Sequence, residues 1–410
     1  MQGQEEIIVG LDIGTTKICA VVGEVSGDEV NIIGIGTHPS LGLRKGVVVD
    51  IEATVDSIRK AVEDAELMAG CEISSVYAGI AGGHVTGFNS RGIIAIKGDS
   101  EITREDVARV VDAARAVAIP MDREIIHTIP QEFIVDDQPG IMNPVGMSAV
   151  RLEVKIHIVT GAVTSVQNIV KCCDRAGLEV ADIVLESLAS SEAVLSADER
   201  ELGAALLDMG GGTCDLAVFS GNQIRHTHVL PLGGNTITSD IAIGLQAPLG
   251  EAEKIKLAHG CCHGGLLYED EMIEVAGTGG RKSRRLPRLV LAEILQPRME
   301  EIFSLIHEDM QRSRTDYLIN SGMVLTGGTS QLEGAADVAE AILQTRVRKG
   351  TPRHIGGLSD VVSNPVYATG VGLVLYGAAN RRNVRKFRIG EPNLLIRLVT
   401  RMKRWFRDII

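Results

Sequence analysis

Short β-branched runs punctuated by glycine turns open this chain, and stretches with helical spacing follow them. Residues 6–13 (EIIVGLDI) form an apolar run that predicts a buried strand. The turn Gly14-Thr15-Thr16-Lys17 leads to a second strand, Ile18 to Val25, and Gly27-Asp28 to a third, Val30 to Ile35. Residues 51–69 then place Val55, Ile58, Val62 and Ala65 on one helix face.

Residues 86–160 have another texture. Thr103, with Asp106 three residues on, predicts a helix start, and Val107, Val110, Val111, Ala114 and Val117 keep helical spacing as far as Pro120. Val150, Leu152, Val154, Ile156 and Ile158 alternate with Arg151, Glu153, Lys155 and His157, which predicts a half-exposed strand. The segment reads as a small α+β insert. Residues 164–195 read as helix, short strand and helix. Residues 203–219 (GAALLDMGGGTCDLAVF) then restart the opening pattern, and Gln223 to Leu230 supplies its third strand. At an offset of 196, Asp12 falls on Asp208, Ile13 on Met209, Gly14 on Gly210, Lys17 on Thr213 and Val22 on Val218. The offset is about half the chain, so the repeat predicts two similar α/β lobes rather than a solenoid.

A length of 410 residues suits two such cores. Aromatics are 3% of the chain against 45% hydrophobic residues, so those cores must be aliphatic. The net charge of -12 is uneven: from Arg381 onward the balance is +8, which leaves -20 on residues 1–380. An acidic body repels nucleic acid, and a basic tail on it points to an anionic surface. The seven cysteines form no CxxC and sit mostly in apolar runs, which predicts free thiols in a reducing compartment. Met1-Gln2-Gly3-Gln4-Glu5-Glu6 lacks the basic start and apolar run of a signal peptide, and no stretch is long and apolar enough to span a bilayer.

The two repeated turns carry the candidate chemistry. Glycine lets backbone N–H groups converge on phosphate oxygens. Thr15, Thr16 and Thr213 add hydroxyls, and Lys17 adds a positive charge. Asp12 and Asp208, each ending a strand, are placed to hold Mg²⁺ through its waters. The alternative is a pair of hairpin turns that need glycine only for their backbone. A Walker A motif and a GxGxxG opening a helix are both absent, and these glycines lie between strands.

GLDIGTTKICA (10–20) resembles the first phosphate motif of the actin, Hsp70 and sugar-kinase superfamily, and LLDMGGGTCDLAVF (206–219) its second. LESLASSEAV (185–194) and YATGVGLVLYGA (367–378) resemble its connecting helices. GEAEKIK (250–256) resembles its nucleoside-contacting helix, and VLTGGTSQLEG (324–334) its adenosine motif. Within that superfamily the chain is most similar to the FtsA family of bacterial division proteins. The 86–160 insert, the stretch GEAEKIKLAHGCC followed by basic residues and LAEILQPRMEEIF, the wording LTGGTSQLEG and the C-terminal tail carry that likeness.

The resemblance implies an α/β, actin-like two-lobed ATPase fold with duplicated ribonuclease-H-like cores. Its implied parts are a first lobe (1A) at 1–85 and 161–200, an insert (1C) at 86–160, a second lobe (2A) at 201–380 with 2B around 235–312, a basic linker at 381–392 and a membrane helix at 393–410. It implies ATP and Mg²⁺ as ligands, with Asp12 and Asp208 organising the metal. Gly14, Thr15, Thr16 and Lys17 would meet the β-phosphate side, and Gly210, Gly211, Gly212 and Thr213 the γ-phosphate. Glu253 and Lys256 would hold the ribose and base edge, or else form only a surface ion pair. Gly327, Gly328 and Thr329 would let the nucleoside lie on backbone. Glu186 would orient water, or else simply cap its helix.

The tail has its own pattern. After Asn393, a plausible N-cap, Leu394, Leu395, Leu398, Val399, Met402, Trp405, Phe406 and Ile409 make one apolar face. Arg397, Arg401, Lys403, Arg404 and Arg407 crowd the rest. A helix of that length rises only about 26 Å, and its basic residues forbid spanning, so it should lie in the interface of an anionic membrane. A coiled coil would want more heptads and acidic partners.

His259, Cys261, Cys262 and His263 do not have the spacing of a known zinc site. Arg281, Lys282, Arg284, Arg285 and Arg288 suit an exposed loop or a surface meeting an acidic partner, and Arg298 and Glu301 are candidate contacts for FtsZ. The function implied is an ATP-binding adaptor that self-associates, anchors FtsZ filaments to the inner face of the cytoplasmic membrane and meets other division proteins through the insert, with at most slow ATPase activity. The alternatives are another actin-like membrane filament such as an MreB-like protein, a pilus-assembly adaptor, or a small-molecule kinase of the same superfamily.

Overall fold

Two antiparallel meanders organise the computed structural model, which describes residues 6–27, 29–97, 101–268, 270–276 and 282–381. Apart from Arg381, the expected linker 381–392 and membrane helix 393–410 lie outside the described residues. Glu6–Ile13 pairs with Lys17–Ser26, and that strand with Glu29–Pro39. Ser75–Ile80 adds parallel to the first strand, and Glu179–Leu185 parallel to Ser75–Ile80. The second lobe repeats this plan. Ala204–Met209, Cys214–Ser220 and Gln223–Leu230 form the meander, and Met323–Thr326 and Val347–Lys349 add parallel on the same side. The register repeats too: Asp12 faces Cys19, and Asp208 faces Asp215.

Parallel additions need crossover helices. Ile51–Ala69 is one, capped by Asp50 Oδ1, which accepts from Ala53 N–H at 3.1 Å, and stopped by Gly70 at φ 69°. Val55, Ile58, Val62 and Ala65 are buried against the first sheet. Gly36 is required there, because a Cβ would collide with the Ala61 carbonyl.

Two helices tie the lobes together. Glu186–Val194 leaves the first sheet and packs on Ala204–Met209 and Cys214–Ser220 of the second. Ala368–Asn380 leaves the second lobe and packs on Glu6–Ile13 and Lys17–Ser26 of the first. They touch backbone to backbone, since a Cβ on Gly372 would strike the Ala189 carbonyl.

The insert forms a separate sheet in the order Thr86–Ala95, Arg151–Ala162, Arg123–Val135, Gln138–Ile141, covered by helix Arg104–Arg115. Thr103 and Asp106 form a capping box. The helix ends at Arg115, short of the expected Pro120. Proline disfavours helical backbone in the residue before it, and the Ala116 N–H already closes the last turn on Asp112 and Ala113. The strand expected to be half-exposed is buried on both faces over much of its length. Glu153 is covered because Arg91 and Arg151 pair with it, and His157 because that face docks on the second lobe. Among the described residues no helix is long and apolar enough to cross a membrane.

Candidate functional site

The repeated fold turns both glycine loops toward one cavity of about 450 Å³ between the lobes. Each loop follows the first strand of its meander, so the duplication delivers them as a facing pair. The approach is close: a Cβ on Gly211 would collide with Thr16 Oγ1, and one on Gly212 with Thr15 Oγ1. Gly14, Lys17, Gly210 and Thr213 complete the facing loops around the cavity. Behind the second loop, the Gly210 carbonyl accepts from Gly234 N–H at 3.0 Å and Thr329 Oγ1 at 2.8 Å, and the Gly211 carbonyl accepts from Asn235 N–H at 2.8 Å. In the first loop, Thr15 Oγ1 accepts from Gly46 N–H at 2.9 Å, so its own hydrogen is left to donate elsewhere.

Asp12, Asp208, Glu186 and Lys17 line the cavity, and a fourth acid, Asp215, is buried beside Thr213. Lys17 Nζ lies 3.5 Å from Asp12 Oδ2 and 5.0 Å from the Tyr367 ring centroid. Asp208 Oδ2 accepts from Ser190 Oγ and, at 2.9 Å, from Thr369 Oγ1. Asp215 Oδ2 accepts from Thr213 Oγ1 at 2.7 Å, while its Oδ1 is buried without a partner. Glu186 is the first residue of its helix, after the N-cap Leu185, and its side chain lines the cavity. Its stem passes over Gly79, where a Cβ would sit 3.2 Å from Glu186 Cγ.

Burial is the largest influence on all four carboxyls. It raises Asp12 against the opposing effect of Lys17, and Asp208 against its two hydroxyl donors. Burial pushes Asp215 up to about 8, with Asp208 and Asp12 adding to the rise and Thr213 opposing it. Burial lifts Glu186 well above the usual carboxylate range, helped by Asp12, Asp215 and Asp208. A carboxyl raised on folding holds more protons folded than unfolded between its two pKa values. Stability therefore falls as pH rises through that window, by up to about 1.4 kcal/mol per pH unit for each such group. The ligand-free protein is expected to melt at progressively lower temperature from pH 5 to pH 8, and a divalent cation should flatten the slope. Thermal melts across that range, with and without Mg²⁺, measure it; a flat ligand-free profile would show that these carboxyls are not raised on folding.

The remaining sequence candidates sort into two places. Glu253, Lys256, Gly327, Gly328 and Thr329 line the same cavity. Lys256 Nζ lies 2.7 Å from Glu253 Oε2 and donates to the Gly234 carbonyl at 3.0 Å and Thr238 Oγ1 at 2.9 Å. The pair is thus part of the cavity wall, not an isolated surface contact. Gly327 has φ 80°, and a Cβ would collide with Asp208 Oδ1, so both backbone and space demand glycine. Arg298 and Glu301 lie elsewhere, on helix Arg288–Arg312. They pair with each other, and Arg298 Nε also donates to Asp240 Oδ2 at 2.6 Å. Cys262 Sγ donates to the Glu333 carbonyl at 3.0 Å and Cys261 Sγ to that of His263 at 3.3 Å. Among the described residues no three His, Cys, Asp or Glu side chains converge as ligands of one ion. Sequence reasoning missed Asp215, Ser190, Thr369 and Tyr367. An acid inside the apolar run Cys214–Phe219 was the available signal for Asp215.

Known proteins can be set beside this geometry. A protein described as cell division protein FtsA from Pseudomonas aeruginosa is 49% identical over 98% of this chain and 97% of its own. The chain belongs to the FtsA cell-division family. An FtsA of Neisseria meningitidis is 44% identical across 100% of both chains. The FtsA family model matches residues 205–372, and a model described as the SHS2 domain inserted in FtsA matches residues 82–160. Solved structures extend the likeness to the fold alone. The PilM–PilN type IV pilus biogenesis complex has a chain with TM-score 0.64 at 18% identity, covering 90% of this chain and 98% of that one. MreB5 of Spiroplasma citri has TM-score 0.57 at 14% identity, covering 92% and 98%. The FtsA-family chain therefore has the actin-like ATPase fold, with an SHS2 domain inserted at residues 82–160.

Proposed function

We propose that this FtsA-family protein binds ATP with Mg²⁺ between its lobes, self-associates, and tethers FtsZ filaments to the inner face of the cytoplasmic membrane at the division site. The observation that carries the nucleotide reading is the pair of glycine loops facing across one cavity, each with a buried aspartate at the end of its strand. Gly14, Thr15, Thr16 and Lys17 would meet the β-phosphate, and Gly210, Gly211, Gly212 and Thr213 the γ-phosphate. Glu253 and Lys256 would hold the ribose and base edge over Gly327, Gly328 and Thr329. Related folds support this reading, since MreB5 structures are described as bound to ADP and to AMPPNP.

The residues present fit a hydrated Mg²⁺. Asp12 and Asp208 are buried acids that line the cavity. Mg²⁺ usually takes one or two carboxylates and keeps several waters, a requirement that Asp12 and Asp208 would meet. Bound there, Mg²⁺ would neutralise phosphate charge. Glu186 is the residue proposed to orient water, with turnover at most slow.

The membrane-binding tail, the FtsZ contacts at Arg298 and Glu301, and a role for the 86–160 insert toward other division proteins belong to the same proposal. The MamK structure, described as a double helical filament, supports self-association for this fold. The test is sedimentation of FtsZ filaments with anionic vesicles in the presence of this protein and Mg·ATP, alongside ATP titration calorimetry. FtsZ should pellet with vesicles only when the protein is added, and Asp208→Asn should weaken ATP binding. FtsZ that stays soluble throughout sinks the tether. Absence of ATP heat in the wild type sinks the nucleotide reading.

A further inference from the structure

The insert is rooted in the first lobe and fastened to the second. At its root, Arg123 Nη2 donates to the His84 carbonyl at 2.9 Å, and Arg123 Nε to Thr160 Oγ1 at 3.1 Å. Both insert ends run directly into the first lobe, at Ser75–Ile80 and at helix Val163–Ala176. The insert must therefore move with that lobe. Its edge strand Thr86–Ala95 nonetheless lies along Gln223–Leu230, the edge strand of the second sheet.

The contact is built from matched polar groups. His157 Nε2 lies 2.8 Å from Thr227 Oγ1, and His157 Nδ1 lies 2.7 Å from Asn89 Oδ1. Gln131 Nε2 donates to the Ile224 carbonyl at 2.7 Å and to Asn89 Oδ1 at 3.2 Å, and Asn89 Nδ2 donates to the Arg225 carbonyl at 3.2 Å. An amide oxygen only accepts, so His157 carries a hydrogen on Nδ1. Burial favours the neutral ring, pushing its pKa down to about 3 with His226 and His127 adding, and in the neutral ring Nε2 accepts the Thr227 hydroxyl hydrogen. His157, Gln131 and Thr227 are all buried. Gly87 allows the approach, because a Cβ would collide with Thr227 Oγ1.

The fastening reaches the candidate site. Gly83 packs on Pro231, where a Cβ would lie 3.6 Å from the proline ring. Three residues on, Gly234 N–H supports the second glycine loop through the Gly210 carbonyl at 3.0 Å. Rotating the second lobe away from the first must break or slide the three bonds that cross, from His157 to Thr227, Gln131 to Ile224 and Asn89 to Arg225.

We infer that the insert is a clasp: Asn89, Gln131 and His157 grip the backbone and Thr227 of the second lobe's edge strand, and the grip limits how fast the cleft opens to release nucleotide. The release part rests on the nucleotide reading above; the grip does not. Two variants test it, Thr227→Val, which keeps shape and removes the hydroxyl, and Gln131→Leu. The first readout is amide hydrogen exchange over 86–95 and 223–230. The second is the dissociation rate of a fluorescent ADP. Both variants should speed exchange in both strands, and should speed release by about fivefold, the equivalent of one net hydrogen bond. Unchanged exchange in both variants overturns the clasp. Faster exchange with unchanged release overturns its control of the cleft. If the wild type binds no ADP, the nucleotide reading falls and exchange alone decides the grip.

Discussion

A valine in place of Gly211 is expected to weaken ATP binding by about 5- to 150-fold, the range that 1–3 kcal/mol of overpacking corresponds to. Even a single Cβ there meets Thr16 Oγ1 of the opposite lobe, and the two further methyl groups of valine enter the space between the loops. The lobes then have to part, or Thr16 has to swing away, and either change removes donors from the phosphate site. The fold should survive, because Gly211 has no left-handed backbone to strain and faces a cavity rather than a packed core. Gly250→Ala is the control: it lies outside the cavity, and a Cβ there meets nothing within 4 Å. Titration of a fluorescent ATP analogue with circular dichroism on both variants checks this. Wild-type affinity in Gly211→Val would show that the loops do not clasp phosphate.

The meander and its repeat were legible in the sequence because they are local. Strand, turn and strand occupy consecutive residues, and the turn chemistry marks them. The offset between Asp12 and Asp208 reappears as the same hairpin register in both lobes. The support beneath those aspartates was less legible. Ser190 and Thr369 reach Asp208 from two helices, one 18 and the other 161 residues away in sequence. As single hydroxyls on small-residue helices they resemble any packing serine or threonine. Their role appears only when the two connecting helices cross.

The insert strand shows the limit in a different way. Alternation of Val150, Leu152, Val154, Ile156 and Ile158 with polar residues reads as one wet face. A polar residue can equally be buried where every donor and acceptor finds a partner. Glu153 has two arginines, and His157 has Asn89 and Thr227, the latter from another lobe. Nothing within the strand announces that a second sheet will cover it. The surface candidates Arg298 and Glu301 carry the converse lesson. Their charges looked free for a partner, but Asp240 already engages Arg298, so a partner there would have to compete with an internal ion pair.

Ending the chain at Gly390 is expected to abolish its pelleting with anionic vesicles, while the full chain pellets. The argument is one of additive small terms. Each Lys or Arg near an anionic surface contributes about 1 kcal/mol, and each large apolar side chain moved out of water contributes about 1.5–3 kcal/mol. Residues 393–410 hold five basic residues and the chain's single Trp among its apolar ones. The sum exceeds what the shortened chain can offer, since residues 1–390 carry -15 and are repelled by the same lipids. Two further measurements separate the terms. Raising salt should weaken binding by screening the basic residues. Phe406→Glu should weaken it at every salt concentration, because it removes an apolar contact and adds a repelled charge. Equal pelleting of the full and shortened chains would place the membrane contact on the lobes instead. That outcome would leave the nucleotide cleft untouched, because no residue lining it lies beyond Thr369.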